Sequence, residues 1–166
     1  MEKLVGWFMQ VPAQTPKSVI LIRLMTGWVF FWEGVIKFVF VNQGVGRFTK
    51  LGIPFPEYSA HFVGCLEIIG GLLLIFGFLT RWICVPFIIQ MTVAILTTKV
   101  SMFLGTSPLP LPPVPPQTGF WAVLHEGRSD LAQILCSSFL LVTGAGALSL
   151  DWILWGDKKT VPPRRG

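Results

Sequence analysis

The chain has 166 residues, enough for one domain, with 52% hydrophobic and only 13% charged side chains. A soluble domain carries about a quarter charged residues, so this composition excludes water as the main solvent and points to lipid. The net charge of +5 does not mark a nucleic-acid reader, because no basic stripe interleaved with aromatics falls on one element.

Four apolar stretches are long enough to cross about 30 Å of hydrocarbon, which takes roughly 20 helical residues. They lie at about 18–41, 59–79, 82–104 and 130–150. Lipid offers no partner to free backbone groups, so such stretches are helical. The sequence therefore predicts an all-α, integral membrane four-helix bundle, one membrane domain over 1–166. A short apolar piece, Leu4 to Met9, precedes the first span and reads as interfacial. The first span is not read as a cleaved leader: it is too long, holds Arg23, Glu33 and Lys37, and lacks a following small-residue cleavage site. The loop from Asn42 to Tyr58 carries Gly44, Gly46, Gly52, Pro54 and Pro56. Spans two and three are joined by little beyond Thr80 and Arg81, a tight antiparallel hairpin. The connection 105–129 is a proline-rich outward loop whose run from Pro108 through Pro116 favours an extended backbone. Within it, Phe120 to Leu124 is apolar enough to dip back onto the membrane. A basic tail, 152–166, ends the chain.

Basic residues set the orientation. The side holding both termini and the tight turn has seven (Lys3, Lys17, Arg81, Lys158, Lys159, Arg164, Arg165), the other side three (Arg47, Lys50, Arg128). The excess marks the cytoplasmic side, so both termini are expected there, with Trp82, Trp152 and Trp155 at the inner boundary.

Ionisable groups inside a span are costly and face the bundle interior or a polar cavity. At 1.5 Å per residue, Glu33 and Glu67 both lie about 12 Å below the outer surface, and Lys99 about 7 Å below it. Lys37 is placed for an i, i+4 pair with Glu33. His61, His125, Arg128 and Asp130 belong to the same outer layer. Two readings stand: paired charges that brace the bundle, or a polar pocket opening outward for a small amphipathic ligand. In the second, Glu67 and Glu33 are the candidate catalytic groups, and Lys37, Lys99, Arg128, Asp130 and His61 the candidate ligand-binding groups. Arg23, Arg81 and Asp151 form a separate inner set, read as a structural cap. Gly64 and Gly71 flank Glu67 at helical spacing, which suits close helix packing or access of a flat ligand to the carboxylate. His61 and His125 are conceivable haem ligands, but no C-x-x-C-H accompanies them; snorkelling or loop hydrogen bonding is the plainer reading. Cys65, Cys84 and Cys136 form no C-x-x-C, so neither a metal site nor a disulfide framework follows; Cys65 and Cys136 share a depth, which leaves a bond between them open.

The ordered set Arg23-x3-Gly27, Gly34-x2-Lys37, Gly52-Ile53-Pro54, Gly64-x2-Glu67-x2-Gly70-Gly71, Gly77, Thr80-Arg81, Arg128-x-Asp130-Leu131, Gly144-x-Gly146 and Ser149-Leu150-Asp151 resembles the DoxX family. The likeness runs from about Ser18 to Asp151. It implies a small four-helix protein of the bacterial or archaeal plasma (inner) membrane. It also implies a link to oxidoreductase complexes, one of them thiosulfate:quinone oxidoreductase, or to redox and thiol-stress systems; many members have no assigned activity. The insert Ser107 to Thr118 is longer than the family pattern. The expected function is a membrane subunit of an oxidoreductase complex, with quinone as the possible cofactor and other subunits as partners; the alternative is a non-catalytic scaffold or assembly factor.

Orientation is directly testable. A reporter active only in the cytoplasm should be active when fused after Gly166 and silent when inserted near Gln117. The reverse at both sites would overturn the assignment.

Overall fold

The computed structural model describes residues 6–8 and 15–156. Among them every regular element is a helix. The expected basic tail beyond Gly156, and Lys3, lie outside the described residues.

The first long helix, α1, is Val19–Val39. A short helix α2, Val45–Lys50, sits in the following loop and buries Phe48. The next, α3, is Pro56–Phe76. Proline at its first turn lacks the N–H that no helix could satisfy there. The helix therefore begins three residues before the expected boundary. Gly77 ends it in the left-handed region, φ 67°, with Phe78 N–H donating to the Leu73 carbonyl at 2.8 Å, a Schellman close. The turn of the hairpin is thus Gly77, Phe78 and Leu79. Thr80 and Arg81 already belong to α4, Thr80–Phe103. This helix widens into a π turn at Ile95–Lys99. Beyond the proline run come α5, Gly119–Glu126, then α6, Arg128–Thr143, and α7, Leu150–Trp155.

Three of these helices, α1, α3 and α4, are long and apolar enough to cross a membrane. The fourth expected span differs in detail. Helix α6 has 16 residues, and glycines at 144 and 146, both at positive φ, turn the chain before α7. The reason lies in packing: this turn presents carbonyls to Arg23, as described below.

Burial is inverted relative to a soluble protein. Leu21, Trp28, Ile69, Phe76, Ile89, Leu96, Leu135 and Val142 are exposed, while Arg23, Thr26, Glu67, Arg81, Gln133 and Ser137 are buried. Helices apolar on their outward faces and polar within are stable in hydrocarbon rather than in water.

Helix α1 packs chiefly on α3, and α4 on α6. The first pairing is made by glycine. A Cβ on Gly27 would lie 2.7 Å from the Gly71 carbonyl oxygen, and one on Gly34 would lie 2.8 Å from that of Gly64. Two glycines seven residues apart on each antiparallel helix therefore face each other, and the backbones touch. Gly70 turns the other way, toward Ile83 and Phe87 of α4. Between the two pairs, Phe30 stacks on Phe87 with ring centroids 3.6 Å apart. Leu74, Cys84 and Leu140 fill the space around them.

Overpacking a close contact costs about 1–3 kcal/mol. Gly27→Ala and Gly34→Ala should each lower the thermal midpoint of the purified protein in detergent by that equivalent. Midpoints equal to wild type would show that the helices do not meet at these glycines.

Candidate functional site

The glycine contacts decide what meets Glu67. Gly64 and Gly71, one turn to either side of it, hold α3 against α1, and Gly70 admits α4. Lys37 lies one turn beyond Gly34, and Gln90 one turn beyond Phe87, so both long side chains arrive at the same level. Glu67 is 1% exposed. Lys37 Nζ reaches its Oε2 at 2.5 Å, and Gln90 Nε2 donates to its Oε1. One side chain from each of three helices thus meets in the bundle interior.

An ion pair out of water is stable only when further hydrogen bonds complete it. Here Lys37 also donates to the Glu33 backbone carbonyl at 3.2 Å. An ammonium has three protons to give, and two of these are taken by the Glu67 carboxylate and the Glu33 carbonyl. The Gln90 carbonyl oxygen is buried without a partner among the described residues. The centre therefore keeps one donor and one acceptor for something else.

Several expected groups lie elsewhere. The Glu33 carboxylate does not pair with Lys37, because Lys37 turns inward to Glu67 and takes only the Glu33 carbonyl; Glu33 itself is exposed on α1. Lys99 and Asp130 form a second pair at 3.4 Å, joining the π turn of α4 to the first turn of α6. His61 is exposed and stacks on Phe38, centroids 5.5 Å apart. His125 faces Glu126 at 4.0 Å, so the two histidines do not face a common ligand. Arg128 is exposed and donates to the His125 carbonyl. The single outer layer is thus resolved into a buried triad, a separate ion pair and surface groups. The expected outward pocket at Glu67 is closed over. Two open grooves lie instead at the loop end, of about 510 Å³ beside Phe55, Tyr58, Ser59 and Phe62 and about 780 Å³ beside Pro115, Pro116, Trp121, Leu124, His125 and Arg128.

The opposite end holds Arg23, Arg81 and Asp151, and they serve helix ends rather than one another. Arg23 donates to the carbonyls of Ala145 and Leu148, both at 2.6 Å. Arg81 donates to the Val142 carbonyl at 2.9 Å and to that of Trp7, with its guanidinium 4.3 Å above the Trp7 ring. Asp151 accepts from the Leu79 and Thr80 amides at 2.7 and 3.0 Å. Cations thus meet carbonyls at and beyond the C-terminus of α6, and an anion meets the N-terminus of α4, the signs the helix dipole favours. Gly77 is required here a second time: a Cβ would lie 2.5 Å from Arg23 Nη1.

Sequence reasoning passed over Gln90, Gln133 and Ser137, all inward-facing in apolar helices. A neutral polar residue in a span was the available signal; attention to ionisable groups alone hid it. All three cysteines are free thiols. Among the described residues no group of three His, Cys, Asp or Glu side chains converges as a metal site would.

These features define a small helical membrane protein with a polar centre buried between its spans. The chain belongs to the DoxX family, whose profile matches residues 18–100. An uncharacterized membrane protein of Mycobacterium tuberculosis is 40% identical over 88% of this chain and 86% of its own length. A Bacillus subtilis protein named "Putative oxidoreductase CatD" is 29% identical over 86% of this chain and 90% of its own. No solved structure matches the chain.

Removing one partner of a buried pair leaves an uncompensated charge and costs about 3–5 kcal/mol, whereas replacing both is close to neutral. Lys37→Met and Glu67→Gln should each destabilise strongly, and the double variant should recover most of the loss. Chemical denaturation in mild detergent measures the cycle. Additive losses would show that the two side chains are not coupled.

Proposed function

We propose that this chain is the membrane subunit of an oxidoreductase complex that passes electrons to a quinone. The observation that carries the reading is the Glu67–Lys37–Gln90 centre: a carboxylate inside a span, held from two neighbouring helices, with a donor and an acceptor left over. A quinone that takes two electrons must also take two protons. Glu67, ionised while paired with Lys37, would relay these protons one at a time, taking each from the Glu33 side and passing it inward, twice per turnover, at a level where the bilayer has no water to give one. The spare proton of Lys37 holds the reduced oxygen, and Glu33, on the outward face of α1, is the next station for proton exchange. Electrons come from a partner subunit. Lys99, Asp130, His61 and Arg128 lie apart from this centre and take no part in the step. The relative named as an oxidoreductase supports the class of activity. The two relatives are bacterial, which supports a bacterial plasma membrane, with both termini in the cytoplasm by the distribution of basic residues.

One observation favours a second reading, a scaffold without chemistry. Glu67 is closed over, and its partners are those a purely bracing pair would have.

The Lys37→Met/Glu67→Gln double variant separates the two. It removes both charges together, so the bundle should stay folded, yet it deletes the proton relay. General acid–base groups contribute about 10²–10⁴-fold. In the complex purified with its native partners, reduction of a soluble benzoquinone should fall by about a hundredfold or more. A folded double variant reducing it at the wild-type rate would leave the scaffold reading standing.

A further inference from the structure

The larger groove at the loop end takes no part in the proposed reaction. Its walls are Pro115 and Pro116 from the proline-rich loop, which bends at 108–109 and 113–115 rather than running extended, Trp121, Leu124 and His125 from α5, and Arg128 at the start of α6. Arg128 is poorly placed for helix stability, because a cation at a helix N-terminus opposes the dipole. Its visible contact is the carbonyl of His125, three residues back, which leaves most of its five N–H donors free. Below it the surface changes character. Leu131, Leu135, Phe139 and Val142 are all exposed and fall with Arg128 within one narrow arc of α6. That apolar stripe runs about 16 Å down the helix, away from the groove. Trp121 and Leu124 are exposed beside its upper end. Glu126 faces His125 at 4.0 Å and stays outside the lining.

We propose that this groove and stripe form a binding site for one anionic phospholipid. The phosphate diester sits on the Arg128 guanidinium, with His125 beside it, and an acyl chain follows Leu131, Leu135 and Val142. The order of groups matches that molecule: a cation at the level of the interfacial tryptophan, then hydrocarbon along the helix toward the bilayer centre. A soluble anion would have no use for the stripe, and a zwitterionic lipid gains less from an unpaired guanidinium. Pro115 and Pro116, each with its φ fixed by the ring, give the site a stiff outer wall. The assignment holds whether or not Glu67 performs redox chemistry.

The test uses the full chain in mixed micelles with palmitoyl-oleoyl phosphatidylglycerol or phosphatidylcholine, read by native mass spectrometry. Wild type should retain one phosphatidylglycerol in preference to phosphatidylcholine. A basic residue near a membrane surface contributes about fivefold to anion affinity, so Arg128→Gln should cut the preference by about that factor, and Arg128→Lys should keep part of it. Leu135→Asn should weaken retention of both lipids while leaving the preference for phosphatidylglycerol. Equal retention of the two lipids by wild type would overturn the proposal without any variant. So would Arg128→Gln with its preference intact, or displacement of the lipid by millimolar inorganic phosphate, which would identify the site as one for a free anion.

Discussion

The contact between the backbones of α1 and α3 sets the geometry of everything above it. Lipid is as apolar as the helices it surrounds, so association must come from close packing and polar contacts rather than from escape of apolar surface from water. Gly27 against Gly71 and Gly34 against Gly64 bring main chains within van der Waals reach. At that separation Lys37 spans the gap to Glu67 without stretching. Side chains at those glycines would push the helices apart, and the carboxylate would lose its counter-ion in a medium that does not forgive the loss. The same spacing that packs the bundle therefore keeps its most expensive group tolerable.

Polar groups at the other end obey a different rule. Among the described residues these charges form no salt bridge with one another, although Asp151 acts through space on both Arg23 and Arg81. Arg23 and Arg81 close carbonyls around the end of α6, and Asp151 closes amides at the start of α4. Backbone groups at a helix end cannot be left bare near hydrocarbon, and here long-range side chains finish them. This explains why α6 stops at 16 residues. Once its terminal carbonyls have guanidinium partners, the chain turns at Gly144 and Gly146 and re-enters as α7.

Much of this was legible in the sequence. Long apolar runs gave the helices, even with Pro86 inside α4, and glycines at helical spacing around Glu67 gave a close-packed face. The inner set was readable only as a neighbourhood, with Arg81 and Asp151 at span ends and Arg23 about 8 Å further in by residue counting. Pairing was not readable. Depth along a helix follows from a rise of about 1.5 Å per residue, but rotation about its axis decides which charge meets which. Glu33 and Glu67 share a depth and differ in direction, so one is on the surface and the other is enclosed. The partner of Asp130 also depended on the π turn ending at Lys99, for which an apolar, threonine-rich stretch carries no distinctive signature. Gln90 was missed because a neutral side chain says little until a carboxylate is seen beside it.

The cap has a consequence for biosynthesis. Arg23 lies in α1, the earliest of the long helices described, yet the carbonyls that receive it belong to residues 122 and 125 positions later. Asp151 likewise answers amides that appeared about 70 residues earlier. The hairpin of α3 and α4 must therefore be in place before either debt is settled, and a nascent chain halted before Ala145 carries a bare guanidinium in its leading segment. Until that last turn forms, Arg23 lacks the carbonyls that satisfy it, so the segment after α6 completes the wall that α1 begins.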